Sequence, residues 1–238
     1  MAYYPIKKPK DQEGEVLSKR IDRGQTIGIR TAAVIVAHPD DKTLWAGGTI
    51  LSHPDWRWTV VALCRRNDFD RAPKFRRALK ELGAVGDLGD LDDSPDQTPL
   101  TDHAVQQMIL NLLPNRSFDL IITHSLKGEY TTHRRHTETS LAVSALWKQG
   151  DLVSPELWMF AYDDGGRHHL PQAIPIANRI DKLLPQQWMQ KYRLITEGYS
   201  FRPFSYEAKT TPKTEAFWCF RSPQAIEQWF NKEGTRLI

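Results

Sequence analysis

Thr31-Ala32-Ala33-Val34-Ile35-Val36-Ala37 runs straight into His38-Pro39-Asp40-Asp41. Apart from Thr31, the first seven residues are continuously apolar. That pattern belongs to a strand buried on both faces, not to one with a single wet face. Pro39 lacks an amide proton for a ladder, so the strand must stop beside His38. A helix is expected next, over Thr43 to Ser52, with Gly47-Gly48 inside it. Working outward, Trp58 to Cys64 is a second apolar run. In Ala72 to Leu82 (APKFRRALKEL) the residues Phe75, Ala78, Leu79 and Leu82 share one helical face, and Gly83 supplies a stop. Gly86 to Pro99 is rich in Asp, Gly and Pro and reads as a loop around a short strand. Asp102 to Leu113 reads as a helix closed by Pro114, and Phe118 to Thr123 as a third buried strand. Further helices are expected at His133–Trp147, Gln186–Glu197 and Pro223–Asn231, with strands at Leu157–Tyr162 and Glu215–Phe220. Buried strands alternating with helices predict an α/β fold, a Rossmann-like, mostly parallel sheet flanked by helices on both faces.

The 238 residues suffice for one full-sized domain with a sizeable core, and no internal repeat divides them. We read residues 1–30 as an arm, 31–165 as an α/β core and 166–238 as a part that shapes the substrate pocket. The polar, charged start does not read as a secretory signal. Two cysteines, Cys64 and Cys219, fit reduced core positions in a cytoplasmic protein. No stretch approaches the roughly 20 apolar residues of a membrane span. A net charge of +3 is too small to argue for nucleic acid. Basic residues do gather between Arg65 and Lys80, which reads first as a solvated helix face and second as a phosphate-binding patch.

In open α/β sheets, ligands collect beyond the C-terminal ends of the strands. His38 lies there after the first strand, and the loop leading to His133 follows the strand ending at Thr123. Two metal-capable clusters therefore share one sheet edge. His38, Asp40 and Asp41 offer an imidazole and two carboxylates. Adjacent carboxylates raise each other's pKa, and a divalent cation relieves this, with one Asp ligating and the other left as a base. His133 and His136 are three apart, so on a helix they share a face. A catalytic zinc uses three protein ligands plus water, so more candidates are present than places. Taken singly, each has a plainer reading: a hydrogen-bonded histidine, or an Asp pair that caps a helix.

The stretch AVIVAHPDDKTLWAGGTI resembles the signature of the PIG-L/LmbE family of zinc-dependent N-deacetylases, which act mostly on N-acetylglucosaminyl compounds. THSLKGEYTTHRRH is similar to the family's second motif, and DFDRAPKFRRALKELGA and GDLDD to its middle section. The likeness spans about residues 31 to 145. The resemblance implies His38, Asp41 and His136 as zinc ligands, with Fe2+, Mn2+ or Co2+ as other metals such donors hold. It implies Asp40 as the general base and His133 as a positively charged group that meets the oxyanion or protonates the leaving amine. Arg71, Asp93 and Tyr130 fall where relatives contact substrate. It implies a small N-acetylated, sugar-like substrate; an oligomer is compatible with it.

Three positions depart from the family pattern. Lys42 stands where many relatives have Glu, which reverses a charge beside the site. Arg135 stands where some carry an Asp supporting the catalytic histidine, so Asp163 or Asp164 is expected to support His133 instead. Tyr130 is three residues before His133, where some relatives show two. The leading expectation is an N-deacetylase. An amidase for a larger acyl group or a non-sugar substrate is the alternative, and a non-catalytic α/β binding protein the second, although no G-x-G-x-x-G or P-loop is present.

Overall fold

The computed structural model describes residues 29–130 and 133–234, so most of the expected arm lies outside the described residues. In chain order the elements are β1 (Thr31–Val36), α1 (Asp41–Ser52), β2 (Arg57–Cys64), α2 (Arg71–Glu81), β3 (Ala84–Leu91), α3 (Asp102–Leu112) and β4 (Leu120–Thr123). Then follow α4 (Arg134–Gln149), β5 (Leu157–Phe160), β6 (Tyr162–Asp163), β7 (Gln172–Ala173), β8 (Arg179–Lys182), α5 (Pro185–Arg193), a π-helical turn at Leu194–Gly198, α6 (Tyr206–Thr210), β9 (Thr214–Phe220) and α7 (Pro223–Gly234). Seven strands form one sheet in the order β3-β2-β1-β4-β5-β9-β8, while β6 and β7 pair separately. The first five are parallel, and β9 and β8 add antiparallel pairings at one side. The α/β, mostly parallel, Rossmann-like reading is what the chain adopts.

Both faces of β1 are fully buried, as its unbroken apolar run demands. Ala32, Val34 and Val36 pack with α1, α2 and the π-helical turn on one side. Ala33 and Ile35 pack with residues of α3, α4 and α7 on the other. Gly48 in α1 is a packing glycine: a Cβ there would meet Leu183 at 2.3 Å. Its neighbour Thr49 and its own amide are held by the buried Glu215 carboxylate, which also pairs with buried Lys191 at 2.6 Å. The glycine at position 48 thus lets the helix seat closely against Leu183.

The stretch from Gly86, read as a loop around a short strand, holds a longer strand than expected. It opens as β3, an eight-residue edge strand registered on β2. A Cβ at Gly86 would stand 1.7 Å from the Val60 carbonyl oxygen, so glycine lets the backbones approach. The chain order reverses between β1 and β4, which puts the crevice of the sheet beyond the ends of those two strands.

Candidate metal centre and active site

His38 leaves the end of β1 and His124 the end of β4, so both stand at the switch point. Asp41 opens α1 directly after. Asp40 stands at the N-cap position and Asp41 in the first turn, as the plain capping reading has it, but Asp40 makes no side-chain cap bond. Asp41 Oδ2 accepts instead from the His38 amide at 2.8 Å, folding its carboxylate back toward the strand end. His133 is the N-cap of α4 and His136 lies in its first turn.

Three atoms converge. His38 Nδ1 lies 3.2 Å from Asp41 Oδ2 and 3.2 Å from His136 Nε2, and His136 Nε2 lies 3.3 Å from Asp41 Oδ2. A tetrahedral ion with bonds of about 2.0–2.1 Å separates its ligand atoms by about 3.3 Å, so these residues fit a zinc-sized cation. Each imidazole is also braced at its other nitrogen. His136 Nδ1 donates to buried Glu129 Oε2 at 2.6 Å, and His38 Nε2 faces Asp93 Oδ1 at 3.2 Å. Carboxylate bracing of this kind fixes the tautomer that turns a lone pair toward a metal.

Two overlapping donor sets exist, His38/His133/His136 and Asp41/His124/His136. His124 is the less suited member, because its Nε2 lies 2.9 Å from the Ala37 amide, which can only donate to it. Its Nδ1 then gives its proton to Glu129 at 2.9 Å. In that tautomer His124 is a fully buried brace shared between β1 and Glu129.

The electrostatics follow the geometry without a cation. Burial lowers the His38 pKa, but the Asp41 charge and the bonds to Asp41 and Asp93 overcome it and raise it to about 9. Burial acts against the Asp41 charge, yet His136 and His38 hold it well below the usual carboxylate range. Asp40 goes the other way: burial and the Asp41 charge raise it, with Arg71 opposing. Two adjacent carboxyls are thus pushed apart, one kept ionised and the other made basic. Arg71 Nη1 stands 3.6 Å from Asp40 Oδ1, and its guanidinium lies over the Phe201 ring.

His133 packs its ring edge-on to His38 at 4.5 Å and stacked on His136 at 4.4 Å. Its Nδ1 is buried without a hydrogen-bond partner. Burial, reinforced by His136 and His38, lowers its pKa to about 3, which leaves it neutral where the resemblance implied a cation. Asp163 and Asp164 turn to the amides of Gly165 and Gly166, and neither bonds His133 Nδ1. Tyr130 sets its ring near-perpendicular to those of His133 and His136. Burial and the Asp41 charge raise its pKa, so its hydroxyl stays protonated.

A cavity of about 380 Å³ opens over these groups, bounded by His38, Asp40, Asp41, Arg71, Asp93, Tyr130 and His133, with Tyr206 and Glu207 of α6 closing one side. All eight residues singled out from sequence therefore meet here: seven line the cavity, and His136 lies fully buried beneath it. Asp93 is more engaged than a free hydroxyl binder, since its second oxygen takes the Arg65 guanidinium at 2.8 Å. The charges at Lys42 and Arg135 do not border the cavity. Lys42 is fully buried, donating to the Pro39 carbonyl at 2.7 Å and the Tyr199 hydroxyl at 2.5 Å. Arg135 ties the 92–98 loop to α4 through the carbonyls of Asp92 and Thr98 and the Glu138 carboxylate.

Sequence reasoning missed His124 and Glu129, and read Arg65 only as one member of a basic cluster. The rule that found His38, a histidine at the end of a buried strand, applies equally to His124 after FDLIIT. Nothing local marks Glu129, whose role depends on two rings brought to it by folding.

Residues 33–147 match the model of the PIG-L family, described as GlcNAc-PI de-N-acetylase. No curated protein matches the chain. Among solved structures, an N,N'-diacetylchitobiose deacetylase from Pyrococcus horikoshii superposes with a TM-score of 0.60 at 14% identity, covering 82% of this chain and 85% of that one. A deacetylase of teicoplanin biosynthesis gives 0.56 at 15%, over 81% and 98%. The 4-carboxy-2-hydroxymuconate hydratase GalB from Pseudomonas putida KT2440 gives 0.55 at 14%, over 80% and 96%. At these identities the structures share the fold alone, and the fold hosts more than one reaction. The matched segment runs from β1 to α4 and holds the whole converging donor set: over that segment this chain is similar to the PIG-L family.

Proposed function

We propose that the chain is a zinc-dependent N-deacetylase that releases acetate from an N-acetylglucosaminyl-type compound. The observation that carries this reading is the convergence of His38 Nδ1, Asp41 Oδ2 and His136 Nε2 within 3.3 Å, beside a second carboxylate, Asp40, outside that set. Those three atoms would hold the ion. Once bound, zinc lowers the pKa of a coordinated water and polarises the amide carbonyl.

The chain's own groups supply the rest. Asp40, made basic by burial and by Asp41, takes the proton of the attacking water. Arg71, 3.6 Å away, keeps that carboxylate in place and offers a donor to the substrate. Tyr130, held protonated, and His133, with its partnerless nitrogen, are the donors available to the developing oxyanion. The proton that Asp40 takes from the water passes on to the departing amine, while His133 stays a neutral hydrogen-bond donor beside the oxyanion. Asp93 keeps lone pairs for a sugar hydroxyl while holding His38.

The test is acetate release from N-acetylglucosamine compounds by zinc-loaded protein, with Asp40→Ala alongside. We expect the variant to keep its zinc and lose at least about 100-fold in rate. Release from no such compound, or near-parental activity of Asp40→Ala, overturns the reading.

One observation favours a larger acyl group as the second reading. Tyr130 also walls a separate cavity of about 290 Å³ that contains Trp218, Trp229 and Ile174. Profiling hydrolysis against acyl length separates the two: rates that rise with chain length favour the second.

A further inference from the structure

A larger groove, of about 920 Å³, adjoins the catalytic cavity. Arg65, Asp68, Asp93 and His133 line both, so the groove continues the cavity with no change of conformation. Its lining includes Phe69, which lies between β2 and α2 and stands 94% exposed. A lone exposed apolar residue means little by itself. This one lies along a groove that ends at the proposed reaction centre.

The lining has a definite chemistry. Asp68, Asp90, Asp92 and Asp93 present carboxylates, and Arg65 is the one guanidinium or ammonium among the described lining residues. Arg65 is itself engaged, with Asp93 at 2.5 Å and Asp68 at 3.7 Å. A phosphate placed here would meet like charge and no free cation, which acts as a barrier against anionic ligands. Ionised carboxylates are acceptors only, suited to ligands rich in hydroxyl donors. An aromatic face open to water suits the apolar face of a pyranose ring.

We propose that this groove binds the part of the substrate beyond the N-acetylated unit, and that this part is a second, uncharged sugar ring packed on Phe69, not a phosphate-linked group. The inference rests on the deacetylase reading for the orientation of the substrate, and it makes a separate claim about selectivity.

Three probes test it with zinc-loaded protein: N-acetylglucosamine, a glycosidically linked N-acetylglucosaminyl disaccharide, and an N-acetylglucosaminyl phosphodiester of similar length. We expect kcat/KM for the disaccharide to exceed that for the monosaccharide by about tenfold or more, with the phosphodiester no better than the monosaccharide. Phe69→Ala should reduce the disaccharide advantage to below about threefold. Phe204→Ala, at another largely exposed ring that is not among the groove's lining residues, should preserve it. Equal rates for mono- and disaccharide, a preferred phosphodiester, or an advantage untouched by Phe69→Ala overturns the proposal. Calorimetric binding of the same probes to zinc-loaded Asp40→Ala separates the two claims. Phe69-dependent preference for the disaccharide without hydrolysis by the parent sinks the deacetylase reading and upholds the groove. Hydrolysis without that preference does the reverse.

Discussion

Lys42 follows the two aspartates, yet its ammonium lies 4.3 Å from the Phe75 ring centroid and bonds the Pro39 carbonyl and the Tyr199 hydroxyl. It therefore fixes the peptide just before Asp40, and the same carbonyl also accepts from Tyr199. Burial lowers its pKa to about 7, with Asp40 and Asp41 opposing. In the unfolded chain the ordinary value is about 10.4. Between those limits the unfolded state binds more protons, so the Lys42 contribution to stability must rise with pH. Below about pH 7 the ammonium is charged in both states and its burial costs the full amount. Above about pH 10 the cost is gone. Lys42→Met has no such group, so parent stability minus variant stability should climb across that window, at up to about 1.4 kcal/mol per pH unit. Urea titrations of both chelator-treated proteins at pH 6 to 10 measure it, and a flat difference would contradict a desolvated ammonium.

At the scale of elements, the segment between β4 and α4 does what no single residue does. Glu129, with no exposed surface, takes His124 Nδ1 and His136 Nδ1 on one oxygen and the Ser125 amide on the other. Burial would raise its pKa, but the two imidazoles hold it at about 2. Glu129→Gln removes that charge while keeping the volume, so zinc affinity should fall about 10- to 100-fold. Competition against a chelator of known affinity measures this, and unchanged affinity would show that the bracing is incidental. The elements legible in sequence were those that local pattern decides. β1, β2 and β4 are mostly apolar runs, and α2 carries its buried Phe75, Ala78 and Leu79 at helical spacing. β3 was only half legible, because Gly86 and the aspartates suit a loop until the approach of the Val60 carbonyl explains them. β8, with the polar sequence RIDK, and the five-residue α6 had no pattern to read; pairing with β9 and the closing of the cavity give them their places. The site divides likewise. Topology put His38, Asp40, Asp41, His133 and His136 at one sheet edge, and only the resemblance divided them into ligands and other roles, whereas Lys42 and Arg135 were expected at the site as reversed charges and prove to be buried braces.

Across the whole molecule, the donor set joins two halves of the sheet. His38 and Asp41 belong to the β1–α1 junction, and His136 to the helix that follows β4, on the other side of the reversal in strand order. A cation held by all three ties those junctions together and has no equivalent partner in the unfolded chain, so its binding energy adds to folding. At free zinc of about 100 times Kd the gain is about 2.7 kcal/mol, which for a chain of this size raises Tm by roughly 5–10 °C. Asp41→Ala removes one of three donors and should abolish the shift. Asp163→Ala, an exposed carboxylate outside the set, should leave it intact. Thermal scans of parent and both variants, with zinc and with chelator, decide the matter independently of any substrate. A shift retained in Asp41→Ala would place the stabilising ion elsewhere. A shift lost in Asp163→Ala as well would mean that zinc responds to carboxylates in general and not to the centre built between β1 and α4.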